Sequence, residues 1–237
     1  MSFLILVRHG QSVWNLEEKF TGWVDVNLTD KGAAEAKKAG LLIKKKNIEI
    51  QFYYSSLQLR ANNTLGIIKK VLEDEKKILR AWQLNERHYG ALTGLNKIEM
   101  SKKIGKEKLH ELRRKWDAKP EALSKKSPYH PLNIETYKNI PREILPDTES
   151  LKDTYERVTK YFEEEIQKKL INNNILISAH GNSIRALCKK LFNLDNNQIS
   201  ELEIPTGNPL LIEMSKDSKI TNCEYLDKER AKNLLVF

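Results

Sequence analysis

Cysteine is nearly absent from this chain: Cys188 and Cys223 are the only two in 237 residues, far apart and outside any metal-ligand spacing. That excludes a disulfide framework and a structural zinc site as organising principles. Long apolar runs are missing too. No stretch approaches the roughly 18 consecutive apolar residues of a membrane-spanning helix. The short apolar run near the start has no basic segment ahead of it and no small-residue cleavage site. A cytoplasmic protein is the expectation, with no membrane partner. A Gly-x-x-x-x-Gly-Lys loop and a carboxylate cluster suited to magnesium are both lacking, which sets a nucleotide kinase aside. Acidic residues fall short of basic ones, 32 against 41, for a net charge of +9. The excess is mostly lysine scattered along amphipathic stretches, as in Lys37-Lys38 and Lys44-Lys45-Lys46. No zinc-finger, helix-turn-helix or RNA-binding pattern accompanies it, so nucleic acid is not the expected partner.

What is present is ordinary in bulk and unusual in two places. A hydrophobic content of 40% with 31% charged residues suits one large α/β domain over residues 1–237. The run Phe3-Leu4-Ile5-Leu6-Val7 reads as a strand buried on both faces, in the middle of a parallel sheet. It ends in Arg8-His9-Gly10-Gln11-Ser12, and Gly10 leaves the backbone open to a ligand. The pattern returns near the other end as Ile175-Leu176-Ile177-Ser178-Ala179 followed by His180-Gly181-Asn182-Ser183. Two imidazoles at the carboxyl edge of one sheet can face each other across a single crevice, and histidine is the side chain best suited to proton and phosphoryl traffic near neutral pH.

Between these turns the chain alternates helix and strand. Thr21 and Gly22 offer a hydroxyl and an unobstructed N–H, for an anion or for a turn. Thr29 caps a helix with the stripe Ala33, Ala36, Gly40, Ile43. Alternating Ile48, Ile50, Phe52 and Tyr54 predict a strand. The stripe Leu57, Ala61, Leu65, Ile68, Leu72 predicts a helix with Arg60 in its first turn, where a guanidinium adds to the positive end of the helix dipole. That arginine binds phosphate or makes a surface salt bridge. Residues 78–82 read as a short strand, followed by the polar loop Leu84-Asn85-Glu86-Arg87-His88-Tyr89-Gly90, whose one glutamate can exchange protons with a substrate hydroxyl. Helices are expected over 96–104 and 106–118. Residues 120–146 hold five of the seven prolines and read as an irregular, lid-like excursion. A helix opens at Glu149-Ser150 with the stripe Leu151, Tyr155, Val158, Phe162, Ile166, Leu170, another covers 183–194 with Cys188 in the core, and a hairpin joins 210–214 to 220–225. The fold class implied is α/β, a three-layer sandwich with a mostly parallel central sheet flanked by helices.

The collected candidates are two histidines, one glutamate and the cations Arg8, Arg60, Lys97, Arg113 and Arg114, a set suited to a small, densely anionic substrate. In phosphoryl transfer the transition state spreads charge over oxygens that fixed cations can hold. A phosphoryl group arriving without a metal is best held covalently, and neutral imidazole is a competent acceptor.

At the residues Leu6 to Ser12, Phe20-Thr21-Gly22-Trp23, Leu84 to Gly90, Leu92-Thr93-Gly94-Leu95-Asn96-Lys97, Arg113-Arg114, Glu149 to Thr154 and Ala179 to Arg185, the chain closely resembles the cofactor-dependent phosphoglycerate mutases of the histidine phosphatase superfamily. The likeness runs to about Met214. Arg-His-Gly marks the superfamily, whereas Leu-Asn-Glu-Arg-His-Tyr-Gly followed by Gly-Leu-Asn-Lys is specific to the mutases. The resemblance implies that His9 is the phosphohistidine nucleophile, that Glu86 donates and accepts the proton, and that Arg8, Arg60 and His180 hold the phosphoryl group in flight. It gives substrate binding to Ser12, Asn15, Thr21, Gly22, Arg87, Tyr89, Lys97, Arg113, Arg114, Gly181 and Asn182. The implied reaction interconverts 3-phosphoglycerate and 2-phosphoglycerate in glycolysis, with 2,3-bisphosphoglycerate as primer, no metal, and a homo-oligomer, dimer or tetramer.

Ser12 is the residue of the glycolytic mutases, where bisphosphoglycerate-making relatives typically have glycine. Asn63 and Thr136 stand where arginines are common, and Lys232 to Phe237 replace the Gly- and Lys-rich tail of many relatives. Asn63 lies one position outside the essential set, whereas Thr136 and the tail bear on lid closure, since a lid that admits water turns phospho-His9 toward hydrolysis. A histidine phosphatase acting on small phosphate esters is the alternative enzyme. A protein that keeps the fold but has lost turnover is the alternative of another class, and intact His9, Glu86 and His180 argue against it.

Overall fold

Strand β1 (Ser2–Arg8) is apolar on both faces because both faces are covered. In the computed structural model, which describes residues 1–231, Leu4 and Leu6 pack into one hydrophobic cluster with Val158, Phe162, Ile184 and Leu187. Ile5 and Val7 pack into a second with Ala39, Ile43, Leu65 and Ile68. The alternation of side chains along a strand sends successive residues to opposite layers. The sheet is completed by β2 (Phe52–Ser55), β3 (Ile78–Arg80), β4 (Ile175–Ala179), β5 (Leu210–Met214) and β6 (Ile220–Tyr225), in the order β3-β2-β4-β1-β5-β6. β1, β2, β3 and β4 run parallel, while β5 is antiparallel to β1 and β6 antiparallel to β5.

The helices are α1 (Val13–Leu16), α2 (Asp30–Lys45), α3 (Leu59–Leu72), α4 (Lys97–Ile104), α5 (Lys106–Arg114), α6 (Leu151–Tyr161), α7 (Gln167–Leu170), α8 (Gly181–Leu191) and α9 (Asn196–Glu201). A π-helical turn, Phe162–Ile166, joins α6 to α7. α2 and α3 cover one face of the sheet, α6 and α8 the other. Caps set the starts: Thr29 accepts from Gly32 N–H, and Ser150 and Asp153 form a reciprocal capping box. None of the helices among the described residues is long and apolar enough to cross a membrane.

Several expected boundaries move. The strand anticipated from Ile48 begins only at Phe52, because the chain before it is held by Asn174, whose Nδ2 donates to Glu49 O while its carbonyl accepts from Gln51 N–H. β3 stops at Arg80, and Trp82–Leu84 forms a 3-10 turn. α5 ends at Arg114 where Lys115 becomes extended, short of residue 118. α8 starts two residues before Ser183 and ends at Leu191, with Asn193 in the left-handed region that breaks it off. Helix α9 was not anticipated. Gly10 also has a different reason to be glycine: a Cβ there would lie 2.1 Å from Gly32 O, so the constraint is the close approach of α2 to the turn rather than room for a ligand.

Residues 120–146 contain three 3-10 turns and otherwise irregular chain. The excursion is packed down through Tyr137, Ile140 and Leu145, which bury Trp23. Tyr137 O–H donates to Trp23 O and accepts from Gln58 Nε2, and Thr136 Oγ1 donates to Asp25 Oδ2 at 2.7 Å. Asn63 donates to Asn27 Oδ1 at 2.7 Å. The tail from Lys232 to Phe237 lies outside the described residues.

Candidate active site

The parallel pairing of β1 with β4, in the register Arg8 with Ala179, brings the two His-Gly turns side by side. His9 N–H donates to Ala179 O at 3.0 Å, and the His9 and His180 rings stand 5.1 Å apart, tilted by 59°. Strand ends in one register are what make two sequence motifs one site.

His9 Nδ1 lies 2.7 Å from Gly10 O. A carbonyl only accepts, so Nδ1 carries the proton and Nε2 keeps its lone pair. Burial, then the charges of Arg60 and Arg8, hold the His9 pKa well below the usual imidazole range. The ring is neutral, with the lone pair of Nε2 free of the Gly10 contact. His180, fully buried, is held neutral for the same reasons, burial first and Arg60 next. Its Nε2 lies 2.8 Å from Ser56 Oγ, whereas its buried Nδ1 has no protein partner.

Two adjoining cavities open here, sharing Arg8, Glu86, Tyr89 and Arg113 in their linings. The inner one, about 90 Å³, is formed by His9 with Asn15, Thr21, Gly22, Arg60 and Lys97. The outer, about 240 Å³, adds Arg114, Gly181, Asn182 and Arg185. Across both, seven cations face two carboxylates, Glu86 and Glu203. An uncompensated cationic surface of that density is a binding site for a polyanion.

Arg8 donates through Nη1 to Ile204 O at 2.8 Å, while its Nε is buried without a partner. Burial lowers its pKa, but a guanidinium stays charged in proteins. Arg60 makes no surface salt bridge: it is 1% exposed, and its Nη atoms donate to Val24 O and Gly22 O, each at 2.9 Å. Gly22, at φ +53°, therefore contributes its carbonyl to positioning Arg60 as well as lining the cavity. Lys97 reaches the inner cavity from the start of α4, 3.8 Å from Glu18, and burial lowers its pKa.

Glu86 Oε1 accepts three bonds, from Arg87 N–H at 2.8 Å, Asn182 N–H at 3.2 Å and Asn182 Nδ2 at 2.9 Å. All three bonds go to Oε1 and none of them to Oε2. A Cβ placed on Gly181 would lie 3.6 Å from Arg8 Nε and 3.8 Å from Glu86 Oε2, in ordinary contact with both, so Gly181 sits between the arginine and the carboxylate. The Glu86 backbone is fixed from two sides. Its N–H donates to Gln58 Oε1 at 3.0 Å, and its carbonyl accepts from Arg157 Nη2 at 2.9 Å. Arg157 also donates to Gln83 O and Asn85 O and is paired with buried Glu149 at 2.6 Å.

Of the expected set, His180, Ser12 and Arg87 line neither cavity. His180 is brought to the site only through its ring contact with His9. Ser12, fully buried, caps α1 by accepting from Asn15 N–H at 3.3 Å. Arg87 is buried behind Tyr89, with its guanidinium carbon 4.6 Å from that ring and Nη2 donating to Leu112 O. Sequence reasoning also missed residues. Arg185 donates to Asn182 Oδ1 at 3.0 Å, and burial, then Arg114 and Arg87, push its pKa down to about 9. Its spacing of one helical turn from Asn182 was the available signal. Ser56, Gln58, Arg157 and Glu203 carried no comparable signal, since tertiary contacts alone bring them here.

Next to the site, His88 is buried and its pKa is pushed down to about 4, chiefly by burial. The native state keeps it neutral while the unfolded chain takes up a proton below pH 6.5. The stability it contributes is complete above pH 6.5 and is lost as pH falls from 6.5 toward 4, about 3 kcal/mol in full. His9 and His180 act in the same direction. Urea midpoints should therefore fall steeply between pH 7.5 and 4.5; a flat profile would show that these rings are not buried neutral.

Comparison with known proteins identifies the family from sequence and the fold from structure. The chain matches the histidine phosphatase superfamily (branch 1) over residues 4–129 and 124–223. It is 64% identical to a 2,3-bisphosphoglycerate-dependent phosphoglycerate mutase of Pelagibacter ubique (strain HTCC1062), over 100% of both chains. It is 45% identical to one of Maricaulis maris (strain MCS10), over 99% of this chain and 98% of that protein. Among solved structures, the alpha-ribazole phosphatase of Shigella flexneri superposes with a TM-score of 0.68 at 16% identity, covering 92% of this chain and 93% of the other.

Proposed function

The chain belongs to the 2,3-bisphosphoglycerate-dependent phosphoglycerate mutases of the histidine phosphatase superfamily, and on that premise we propose that it interconverts 3-phosphoglycerate and 2-phosphoglycerate through phospho-His9. The observation that carries the reading is that His9 Nε2, unprotonated, and Glu86 Oε2, unbonded, belong to the lining of one cationic cavity. 2,3-Bisphosphoglycerate, when bound, supplies the phosphoryl group that charges His9. The partnerless buried donor at Arg8 Nε fits such a group, because an unpaired charged donor at that depth calls for an anion.

His9 Nε2 holds the phosphoryl group and passes it to the free hydroxyl of phosphoglycerate, while Glu86 Oε2 accepts the hydroxyl proton. In the return step Glu86 gives the proton back to the oxygen that loses its phosphoryl group to His9. Arg8, Arg60 and His180 stabilise the charge on the transferring oxygens. The outer cavity, with Arg113, Arg114 and Arg185, takes the end of the substrate that is not reacting. Asn15, Thr21, Gly22, Lys97, Tyr89, Gly181 and Asn182 complete the two cavities. Ser12 and Arg87 act from behind this lining, by holding the first turn and Tyr89.

In the same reading residues 120–146 close over the site within a single domain, and the enzyme works in the cytoplasm as a dimer or tetramer, as its family resemblance implies. The test is conversion of 3-phosphoglycerate to 2-phosphoglycerate in excess chelator, with and without added 2,3-bisphosphoglycerate, while free phosphate is followed. Conversion that survives the chelator, rises with the primer and releases little phosphate supports the mutase. Phosphate release without isomerisation would make the protein a phosphatase.

Arg113 lines both cavities, so Arg113→Ala should weaken substrate binding by about 1.5 to 3 kcal/mol, the worth of a hydrogen bond to a charged group. Steady-state kinetics should show KM rising more than kcat falls. Unchanged values of both would remove Arg113 from the site.

A further inference from the structure

The segment that leaves α9 for β5 forms one wall of the outer cavity, through Leu202, Glu203 and Ile204. Arginines of the site are bonded to it at both ends: Arg114 Nη1 donates to Leu202 O at 3.3 Å and Arg8 Nη1 to Ile204 O at 2.8 Å. Between them Glu203 turns its carboxylate onto Arg114, whose Nη2 donates to Oε1 at 2.6 Å. Among the described residues Arg114 is the only partner of that carboxylate. The Glu203 side chain is 66% exposed, and an ion pair so open to water adds little to stability. It is not a contact the fold depends on, and an anionic ligand group can displace it.

A carboxylate resting on an arginine inside an anion-binding cavity occupies the place of a substrate's own carboxylate or phosphate. We propose that Glu203 is a specificity-determining residue of the outer cavity, an internal competitor for Arg114 that each anionic substrate displaces on binding and that returns to the guanidinium as product leaves. This rests on the reading that the cavity takes one end of a phosphoglycerate. Seven cations would hold a multiply charged ligand tightly in the ground state, which lowers KM without speeding turnover. Glu203 offsets that hold, most strongly for the species carrying the most charge, and so eases its reorientation and release.

Glu203→Gln keeps the shape and removes the charge. Calorimetric titration with 2,3-bisphosphoglycerate should show Kd about three- to fivefold lower than wild type, the upper range of an exposed pair. KM for 3-phosphoglycerate should fall by a similar factor. In an Arg114→Ala background the gain from Glu203→Gln should vanish. A higher Kd in Glu203→Gln would mean that Glu203 positions Arg114 instead of competing with the ligand, and would overturn the proposal. So would an unchanged Kd, or a gain of equal size in the Arg114→Ala background, which would point to a diffuse field. A wild-type protein that binds no 2,3-bisphosphoglycerate would overturn the functional reading and this inference with it.

Discussion

His9→Ala is expected to abolish the phosphoenzyme and to lower turnover by at least about a thousandfold, since the removal of a covalent nucleophile takes away the path itself. The geometry leaves no substitute. His180, the other imidazole 5.1 Å away, has Nε2 engaged at Ser56 and its free nitrogen at Nδ1. The fold should survive, because the backbone of residue 9 keeps its bond to Ala179 O. Acid-labile incorporation of label from 2,3-bisphosphoglycerate, read beside a circular dichroism spectrum, decides the matter. More than a few per cent of residual activity in a folded variant would remove His9 from the nucleophile's role.

Glu86→Gln should retain phosphate binding and lose at least about 100-fold in kcat, the usual worth of general acid–base catalysis. The substitution is close to isosteric. A glutamine carbonyl can accept the bonds that now come from Arg87 N–H and Asn182, leaving an amide where Oε2 stood. An amide does not take a proton at this pH, so the loss belongs in kcat, while affinity for inorganic phosphate stays near its wild-type value. Normal turnover would move the proton transfer to another group. The precision of this carboxylate depends on groups that never touch substrate: Gln58 bonded to its N–H, and Arg157, itself held by Glu149, bonded to three carbonyls around it. Arg157 and Glu149 are buried together, a costly arrangement unless fully bonded, and here the surplus donors are spent on fixing one loop.

Much of the site was legible because its motifs are local. A doubly buried strand ending in His-Gly can be read from five apolar residues and the turn after them, and it occurs twice. The combination of a histidine beside a strand end, a glutamate in a polar loop and an arginine in a first helical turn needs no long-range information to suggest phosphoryl transfer. Element boundaries were less legible. The segment 48–51 has the alternation of a strand but no neighbouring strand to bond, because Asn174 takes its backbone groups. The short helix α9 lacks a long apolar stripe, and one buried residue, Ile199, suffices to seat it.

By itself the sequence determined the α/β pattern and the two turns that carry the imidazoles, because periodicity and turn chemistry are properties of neighbours along the chain, and its motifs carried the resemblance to the family. Only the tertiary structure decided which atoms do the work. The tautomer of His9 depends on Gly10 O, the free oxygen of Glu86 on where Asn182 lands, and the burial of Arg60 on a loop 36 residues away. That Ser12 caps α1 and Arg87 packs behind Tyr89, and that Arg114 already holds the carboxylate of Glu203, is likewise decided in space. The reason is physical: a charge or a lone pair becomes a catalyst only through its partners, and in a parallel sheet those partners come from strand ends and loops that the chain itself keeps far apart.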